Sequence, residues 1–310
     1  MKDPRYPYAL DIGTEVCGYR ILEVLGAGGF GITYKAFNDV THKTVAIKEF
    51  YVRDLASRSG STVLVDTAIS EGTYEYALQK FQDEAKAVVN RLSHPYVVKG
   101  ENFLRWNNTC YLVMEYVEGV TLEQWLIGHA EPPDEAGLRP LFEKIFDAVD
   151  HVHDADTMHR DLTPRNIMVR PNGDPLLIDF GAAGQGLDRE RSAKTVAQMR
   201  YAPPEQADID LPARHGRYTD IYSLGAVLYR AVTGAPPVAS VNRIMRMGRG
   251  GGSGDPYLPV AEAVADPGRY SVAFLNGIDQ ALRIDERERP QSIAALREAL
   301  GWAREPVVTM

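Results

Sequence analysis

The sequence has few cysteines and no long hydrophobic run. Cys17 and Cys110 are the two cysteines among 310 residues. They are too few and too far apart for a disulfide framework or a zinc cluster, so a reducing compartment is favoured. No run approaches the roughly eighteen apolar residues of a membrane-spanning helix. The first ten residues, MKDPRYPYAL, contain no apolar segment of the kind found in signal peptides. We therefore expect a cytoplasmic protein.

The sequence also has no excess of positive charge. It contains 34 Lys and Arg against 42 Asp and Glu, for a net charge of −8. Proteins that coat nucleic acid or anionic membranes are usually basic, so we expect neither among the partners. The hydrophobic share of 45% and the charged share of 25% are those of a folded globular protein. They exclude disorder, collagen and coiled coil. The length fits one large domain or two lobes.

The hydrophobic pattern changes from β-like to helical along the chain. β-like runs cover 19–25, 44–50 and 111–114, and a helical pattern covers 74–92. Helical segments then follow at 121–128, 138–154, 219–234, 272–283 and 291–300, with short β runs at 167–169 and 176–178. Residues 118–310 carry 21 Lys and Arg against 28 Asp and Glu. Nearly all of the net negative charge therefore belongs to the α-rich part.

A glycine-rich segment, Gly26-x-Gly28-x-x-Gly31, lies between two β-like runs. The same spacing opens dinucleotide-binding folds, but there a helix follows the glycines. Here the β-like residues 32–37 follow, so the segment predicts a hairpin. Glycines in such a hairpin allow backbone amides to approach phosphate oxygens. An ordinary glycine-containing turn is the alternative.

A lysine in an apolar strand, Lys48 of Val45-Ala46-Ile47-Lys48, needs an anionic partner. Phosphate oxygens are one candidate. Glu84, in the helical segment that follows, is another. The alternative is a solvated lysine at the edge of a sheet.

Two motifs that each contain an aspartate follow in the second part of the chain. They are His159-Arg160-Asp161-Leu162-Thr163-Pro164-Arg165-Asn166 and Asp179-Phe180-Gly181. Asn166 and Asp179 supply the oxygen ligands that magnesium takes when it is bound with nucleotide phosphates. The carboxylate of Asp161 is then available to accept a hydroxyl proton.

With these motifs in this order, the chain resembles the eukaryotic-type protein kinases, in particular the bacterial, PknB-like serine/threonine kinases. The resemblance extends over about residues 19–300 and includes GAGGFGITY, VAIKEF, LVMEYVEG, LIDFGAA, YAPPEQ, TDIYSLGAVLYRAVTG and RERPQS. It implies an α+β, bilobal protein-kinase fold. The N-lobe would be small and β-rich with one regulatory helix, and the C-lobe large and mostly α-helical.

The resemblance also implies domain boundaries. Residues 1–18 would be an N-terminal extension and 301–310 a C-terminal tail. The kinase domain, 19–300, would divide into an N-lobe (19–114), a hinge (115–119) and a C-lobe (120–300).

The resemblance implies roles for individual residues, with ATP and Mg²⁺ as cofactors and Mn²⁺ as an alternative metal. Asp161 would be the catalytic base, Lys48 would hold the α- and β-phosphates and pair with Glu84, and Asn166 and Asp179 would bind the metal. The remaining nucleotide-binding residues would be Leu25, Gly26, Ala27, Gly28, Gly29, Phe30, Gly31, Thr33, Ala46, Met114, Glu115, Val117, Met168 and Ile178. Met114 would be the gatekeeper, and the backbone of Glu115 and Val117 would contact the adenine edge.

Three further residues would hold the scaffold of the large lobe. Glu205 of the Pro203-Pro204-Glu205 motif would pair with Arg289, and Asp220 would anchor the catalytic loop.

The implied function is transfer of the γ-phosphoryl group of ATP to Ser and Thr hydroxyls of protein substrates. Autophosphorylation of Ser192 or Thr195 would follow from Arg160, which precedes the catalytic aspartate, and a homodimer would form during that step. The alternatives are a pseudokinase that binds nucleotide as a regulatory module and a small-molecule kinase of related fold. Thr163 and Gln198, which replace the usual lysine and threonine, support the pseudokinase.

Three features depart from the usual pattern or lie outside the motifs. The spacing from Glu84 to Pro95 is one residue longer than usual, so the choice of Glu84 depends on the fold. Residues 51–73 form an insertion, either a hairpin or loop packed on the small lobe or a docking element. Arg243, Arg246 and Arg249 recur at a three-residue spacing, as a solvated helix face or as a basic stripe for an acidic partner.

Overall fold

The computed structural model describes residues 3–65, 71–180, 199–207, 215–248 and 254–303. These residues divide into two compact units, with the division between Glu118 and Gly119. The first unit is a β-sheet with one long helix, and the second is mostly helical. The expected α+β class is therefore confirmed.

The small unit is built on a six-stranded antiparallel sheet with the strand order β1-β2-β3-β4-β8-β7. Its strands are β1 (Glu15–Val16), β2 (Tyr19–Ala27), β3 (Gly31–Asn38), β4 (Lys43–Phe50), β7 (Gly100–Trp106) and β8 (Thr109–Glu115). A separate hairpin consists of β5 (Ala56–Ser59) and β6 (Thr62–Val65), and the helix α1 spans Glu71–Asn90. The insertion therefore contains a hairpin, as the first of its two interpretations expects.

The central strands of the small unit are covered on the face opposite Lys48. Alternate residues of a strand point to opposite sides of a sheet, so Ile32, Tyr34 and Ile47 lie on the face opposite Lys48. All three are almost completely buried. The segment before β1 lies against them, because the backbone amide of Leu10 donates to the Tyr34 hydroxyl at 3.1 Å. The β5–β6 hairpin joins this cover through Arg58, whose Nε donates to the carbonyl of Tyr8 at 2.8 Å.

Both cysteines lie in the small unit and carry free thiols. Cys17, between β1 and β2, is exposed, whereas Cys110 in β8 is completely buried. Burial raises the pKa of the Cys110 thiol.

The large unit begins with β9 (Val120–Thr121), which pairs with β10 (Ile167–Val169), and β10 pairs with β11 (Pro175–Leu177). Its helices are α2 (Leu122–Ile127), α3 (Glu135–Asp154), α4 (Pro204–Ala207), α5 (Arg217–Thr233), α6 (Ser240–Gly248), α7 (Val260–Ala263), α8 (Val272–Ala281) and α9 (Ile293–Ala299). Two short 3₁₀ turns cover Pro267–Arg269 and Glu286–Glu288.

Helix α5 forms the centre of the large unit. Its residues from Thr219 to Leu228 are buried on every side, which is typical of a helix surrounded by other elements. Gly225 permits the close approach of α8, since a Cβ at this position would lie 2.7 Å from the Cβ of Ala281. The helix ends at Gly234, which adopts the left-handed conformation with φ of 78°.

Both interpretations of the arginine spacing on α6, a solvated helix face and a basic stripe, are wrong for Arg243. Arg243 is only 3% exposed, and its Nη2 lies 2.6 Å from Asp255 Oδ2. Nη1 donates to the carbonyl of Leu282 at 2.7 Å. Arg243 is therefore a structural residue, while Arg246 is exposed and Arg249 lies outside the described residues.

Among the residues that the structure describes, no helix combines the length and the apolar character needed to cross a bilayer.

Candidate active site

The glycine-rich segment forms the turn between β2 and β3. The Gly28 amide donates to the carbonyl of Gly31 at 2.9 Å, which closes the hairpin. A Cβ at Gly31 would lie 2.6 Å from the Glu49 carbonyl oxygen, so the approach of β3 to β4 requires glycine at this position. Around Gly26 and Gly28 there is open space. The other expected residues of the segment follow the same turn, with Leu25 and Ala27 at the end of β2 and Gly29 and Phe30 in the connection.

Lys48 and Glu84 meet within the small unit. The Lys48 Nζ lies 3.4 Å from Glu84 Oε1, and the two side chains are 15% and 3% exposed. Lys48 belongs to β4 and Glu84 to the middle of α1, so the contact joins the sheet to its helix. The Lys48 ammonium also lies 5.9 Å from the centre of the Phe81 ring, one turn earlier in α1. An ion pair this far from water persists only because each charge has a partner.

The strand register places further candidate residues on the Lys48 side of the sheet. Thr33 is directly opposite Lys48 in the β3–β4 pair, and Ala46 is opposite Met114 in the β4–β8 pair. Residues opposite each other in an antiparallel pair share one face. Met114 is 5% exposed. This face therefore carries Thr33, Ala46, Lys48 and Met114 together.

The two residues expected to contact the adenine edge lie at the end of β8 and just after it. The Glu115 amide, at the end of β8, donates to the Lys99 carbonyl at 3.0 Å. Val117 is half-buried. Met168 and Ile178 belong to the large unit, where both are half-buried, Met168 in β10 and Ile178 just after β11.

In the large unit, Asn166 holds the carboxylate of Asp161. The Asn166 Nδ2 donates to Asp161 Oδ2 and to the Asp161 carbonyl, both at 2.8 Å. The carbonyl of Asn166 accepts a hydrogen bond from the Ile178 amide at 2.9 Å. This bond places Asp179, the next residue, beside the loop that carries Asp161. Asp179 adopts a left-handed backbone with φ of 56°, a conformation that costs energy for a residue other than glycine and is found at functional sites.

Asp220 anchors this loop from the interior of the unit. Its carboxylate accepts the backbone amides of His159 at 2.9 Å and of Arg160 at 2.7 Å. Burial by itself would raise the pKa of Asp220, but the hydrogen bond and charge of His153, with those of the loop, lower it overall. Arg160 is held with φ of 64°. The anchor therefore fixes the backbone immediately before Asp161.

Two contacts of this anchor were missed in the sequence. His153 Nε2 lies 2.8 Å from Asp220 Oδ2, and both side chains are completely buried. His159 Nε2 lies 3.0 Å from the carbonyl of Ile178, and its ring stacks on that of Phe180 with centroids 4.6 Å apart. Burial lowers the pKa of His159. The three histidines at positions 151, 153 and 159, shortly before Asp161, were the signal available in the sequence.

The pair expected between Glu205 and Arg289 is present in the large unit. Arg289 Nη1 and Nη2 donate to the two carboxylate oxygens of Glu205 at 2.8 and 3.1 Å. The Thr219 hydroxyl donates to the same carboxylate at 3.0 Å. Thr163 is 4% exposed, and its carbonyl accepts the amide of Asn166. Ser192, Thr195 and Gln198 lie outside the described residues.

The donor groups in the large unit fit a magnesium ion shared with phosphate. The amide nitrogen of Asn166 is committed to Asp161, so its amide oxygen and the carboxylate of Asp179 are the oxygen atoms that would hold a cation. Among the described residues there is no cluster of three His, Cys, Asp or Glu side chains that would enclose a metal. Magnesium is commonly held in this way, by one or two protein oxygens together with substrate phosphates.

Comparison with known proteins yields one family. The family model described as Protein kinase domain matches residues 19–300. The chain is 29% identical over 229 residues to the serine/threonine-protein kinase PrkC of Bacillus subtilis, covering 73% of this chain and 32% of the relative. It is 30% identical over 230 residues to the serine/threonine-protein kinase PknE of Mycobacterium tuberculosis, covering 73% and 36%. The chain thus spans about a third of the length of these relatives.

Solved structures show the same likeness. The PpkA-294 apo form has a TM-score of 0.79 and 32% identity, covering 94% of this chain and 99% of that chain. The kinase domain of Mycobacterium tuberculosis PknI has a TM-score of 0.65 and 20% identity, covering 94% and 99%. At that identity the second likeness concerns the fold alone.

Proposed function

The chain belongs to the protein kinase family, and we propose that it transfers the γ-phosphoryl group of Mg-ATP to Ser and Thr hydroxyls of protein substrates. The observation that carries the proposal is the bond from Asn166 to the Asp161 carboxylate, in a loop anchored by Asp220. Relatives described as serine/threonine-protein kinases support the class of acceptor.

Asp161 is proposed as the catalytic base. Its side chain is half-buried, and Asn166 orients one carboxylate oxygen. The carboxylate can accept the proton of a substrate hydroxyl as the oxygen attacks phosphorus. The backbone bonds from His159 and Arg160 to Asp220 prevent the loop from turning away. The protein thus contributes the position of the base rather than unusual reactivity.

Asn166 and Asp179 are proposed to hold the metal, and Lys48 the α- and β-phosphates. Magnesium, when bound, would neutralise charge on the phosphates during transfer. Glu84 keeps the Lys48 ammonium in place. Phosphoryl transfer requires little covalent chemistry, so positioning and charge neutralisation supply most of the rate.

The nucleotide is proposed to bind to the small unit, between the glycine-rich turn that joins β2 to β3 and the face of the sheet that carries Lys48. Open space at Gly26 and Gly28 lets backbone amides of the turn approach phosphate oxygens. Ala46 and Met114 share the face that carries Lys48, where the adenine ring would pack. The backbone of Glu115 and Val117 would contact the adenine edge.

Autophosphorylation of Ser192 or Thr195 is part of the proposal, with a transient homodimer during the step. Arg160 precedes the base, and an arginine there can pair with an added phosphate. Intact-mass measurement after incubation with Mg-ATP is expected to show added phosphate, lost in the Ser192→Ala/Thr195→Ala double variant. An unchanged mass in the active protein would remove this step from the proposal.

The test of the function is transfer of radiolabelled γ-phosphate to an acidic protein, casein, and to a basic one, myelin basic protein. Asp161→Asn is expected to lower kcat by about 10²–10⁴ while nucleotide binding persists. Asp39→Asn, which alters an exposed aspartate paired with Arg20, is the matched control and should be fully active. Phosphoamino-acid analysis identifies the acceptor residue.

Two results would overturn the proposal. Transfer that persists in Asp161→Asn would exclude Asp161 as the base. Nucleotide binding without transfer by the unmutated protein would support the alternative of a nucleotide-binding regulatory module. Thr163, which is buried and uncharged, favours that alternative, since a lysine there would add positive charge near the transferred phosphate.

A further inference from the structure

Three arginines lie around Tyr201 in the large unit. Arg200 directly precedes Tyr201 and is exposed, and Arg165 is exposed in the loop that ends at Asn166. Arg230 belongs to α5, where its side chain is 11% exposed. Their neighbourhood is basic, although residues 118–310 carry 21 Lys and Arg against 28 Asp and Glu. We call Arg165, Arg200 and Arg230 the arginine cluster.

Hydrogen bonds of the backbone bring the cluster together. The Ser223 hydroxyl in α5 donates to the Tyr201 carbonyl at 2.9 Å, which fixes the segment containing Arg200. The amide of Glu123 in α2 donates to the carbonyl of Pro164 at 3.0 Å, which fixes the loop next to Arg165. The cluster is therefore a consequence of how the loop, α2 and α5 pack.

Glu123 is the acidic residue that accompanies the cluster, and Arg230 holds it. Arg230 Nη2 lies 3.2 Å from Glu123 Oε1. Burial raises the pKa of Tyr201, and Glu123 raises it further, whereas Arg230, Arg165 and Arg200 lower it. All four charges are thus within electrostatic reach of one hydroxyl, with three positive charges against one negative charge.

Such a cluster is unfavourable by itself. Like charges repel, and burial near Tyr201 weakens the screening by water. In the described part of the chain, neither Arg165 nor Arg200 has an ion-pair partner. An anionic ligand would relieve the repulsion, and the guanidinium group is suited to carboxylates.

The cluster borders the path of a peptide to the proposed base. Arg165 is four residues after Asp161 in the same loop. The segment with Arg200 and Tyr201 leads into α4, where Gln206 Nε2 donates to the Arg160 carbonyl at 2.8 Å. A polypeptide whose hydroxyl reaches Asp161 therefore passes beside residues held against this loop.

We propose that the arginine cluster binds acidic side chains of the protein substrate, so that the kinase selects Ser or Thr residues in acidic segments. This inference rests on the proposed function, because it assigns a substrate class to the same site. A basic stripe on α6, one of the two interpretations of its arginine spacing, does not include Arg243, which is buried in a structural pair. The arginine cluster offers a different surface for an acidic partner.

The experiment compares synthetic peptides that share a neutral core with one serine. One set carries a run of glutamates before or after the serine, and the matched set carries lysines there. Binding of labelled peptides is measured by fluorescence anisotropy, and phosphorylation is measured separately as kcat/KM. At low salt we expect one of the acidic peptides to bind at least about fivefold more tightly than its lysine counterpart, with the preference decreasing as salt is added.

Charge reversal of the two exposed arginines tests the assignment. Arg165→Glu and Arg200→Glu are each expected to reduce the ratio of acidic to basic peptide affinity by a factor of about two to five. Arg287→Glu is the matched control, because Arg287 is 82% exposed and already pairs with Asp285. The control should keep the ratio of the unmutated protein, and thermal melts verify that each variant is folded.

The outcomes separate the inference from the proposed function. Equal affinity for acidic and basic peptides, or a ratio that the cluster variants do not change, overturns the inference even if phosphoryl transfer is observed. If the unmutated protein binds the acidic peptides preferentially but phosphorylates none of the peptides, the proposed function is overturned, whereas the binding preference of the arginine cluster stands.

Discussion

The Arg58 Nη2 lies 2.6 Å from Oε2 of Glu49, the residue that follows Lys48 in β4. The two side chains are 6% and 0% exposed. The hydroxyls of Tyr34 and Tyr111 donate to the same carboxylate at 2.7 and 2.9 Å. The pair joins the β5–β6 hairpin to the strand that carries the proposed phosphate-binding lysine.

Loss of the Arg58 guanidinium should destabilise the small unit. Arg58→Met would leave the Glu49 carboxylate buried without its cation, at an expected cost of about 3–5 kcal/mol. Urea unfolding measures the change. Arg20→Met is the matched control, since Arg20 and Asp39 form an exposed pair with 45% and 62% exposure, and exposed pairs contribute less than about 1 kcal/mol.

The double variant Arg58→Met/Glu49→Leu distinguishes the ion pair from packing. Removing both charges should restore much of the stability lost in Arg58→Met. A double variant as unstable as the sum of the two single variants would show that the charges do not act as a pair.

The sequence could not reveal this pair. Glu49 belongs to a strand whose other residues follow ordinary alternation, and Arg58 lies in an insertion outside the motifs. In contrast, Lys48 and Glu84 were identified across 36 residues of separation, because both belong to motifs of a family whose fold brings them together. The contact itself then depends on where α1 packs, which the spacing to Pro95 alone left open.

Arg243 shows the opposite failure. A three-residue spacing places arginines along one side of a helix, but it does not tell which side faces the interior. The partner that decides the matter, Asp255, follows twelve residues later beyond a glycine-rich segment. Fold class and site residues could therefore be predicted where motifs carry them, whereas buried pairs between unrelated segments could not.

Removal of the Lys48 charge should reduce phosphoryl transfer more than removal of the Glu84 charge. Lys48→Met is expected to lower kcat/KM for ATP by about 10²–10³, because it removes the ammonium that is proposed to hold the α- and β-phosphates. Glu84→Gln should cause a smaller loss, roughly tenfold, because an amide oxygen still accepts from lysine.

Lys86→Met is the control for this comparison, since Lys86 is exposed on the same helix. Steady-state kinetics with ATP as the varied substrate provide the measurement. If Lys48→Met and Lys86→Met were equally active, the proposed role of Lys48 would be wrong.

Substitution of Gly31 should destabilise the glycine-rich hairpin. In Gly31→Ala the new methyl group would lie 2.6 Å from the Glu49 carbonyl oxygen, and relief of such a clash typically costs about 1–3 kcal/mol. Gly28→Ala is the control, because nothing lies within 4 Å of a Cβ there. Thermal unfolding is expected to show a lower midpoint for Gly31→Ala alone. Equal midpoints would mean that β3 can shift away from β4 at little cost.

Stability of the large unit should decrease as the pH falls below about 6.5, the ordinary pKa of histidine. Burial lowers the pKa of His159 in the folded protein, so below that pH the unfolded chain binds a proton that the folded chain does not. The lowered pKa of Asp220 adds a second loss at more acidic pH, below about 4.

Unfolding midpoints measured from pH 7.5 to 5 test this dependence. His159→Gln should weaken the slope below about pH 6.5, while His42→Gln, at an exposed position in the small unit, should leave it as in the unmutated protein. An unchanged slope in His159→Gln would assign the acid sensitivity to other groups.

The placement of the two thiols allows the opening of the small unit to be measured independently of the large unit. Because Cys17 is accessible and Cys110 is enclosed in β8, an alkylating reagent should modify the first at once and the second only when the sheet opens. The rate at the second thiol then reports the free energy of that opening. Since the large unit contains no cysteine, its unfolding would not contribute to the signal, and the effect of added nucleotide on the smaller unit could be followed alone.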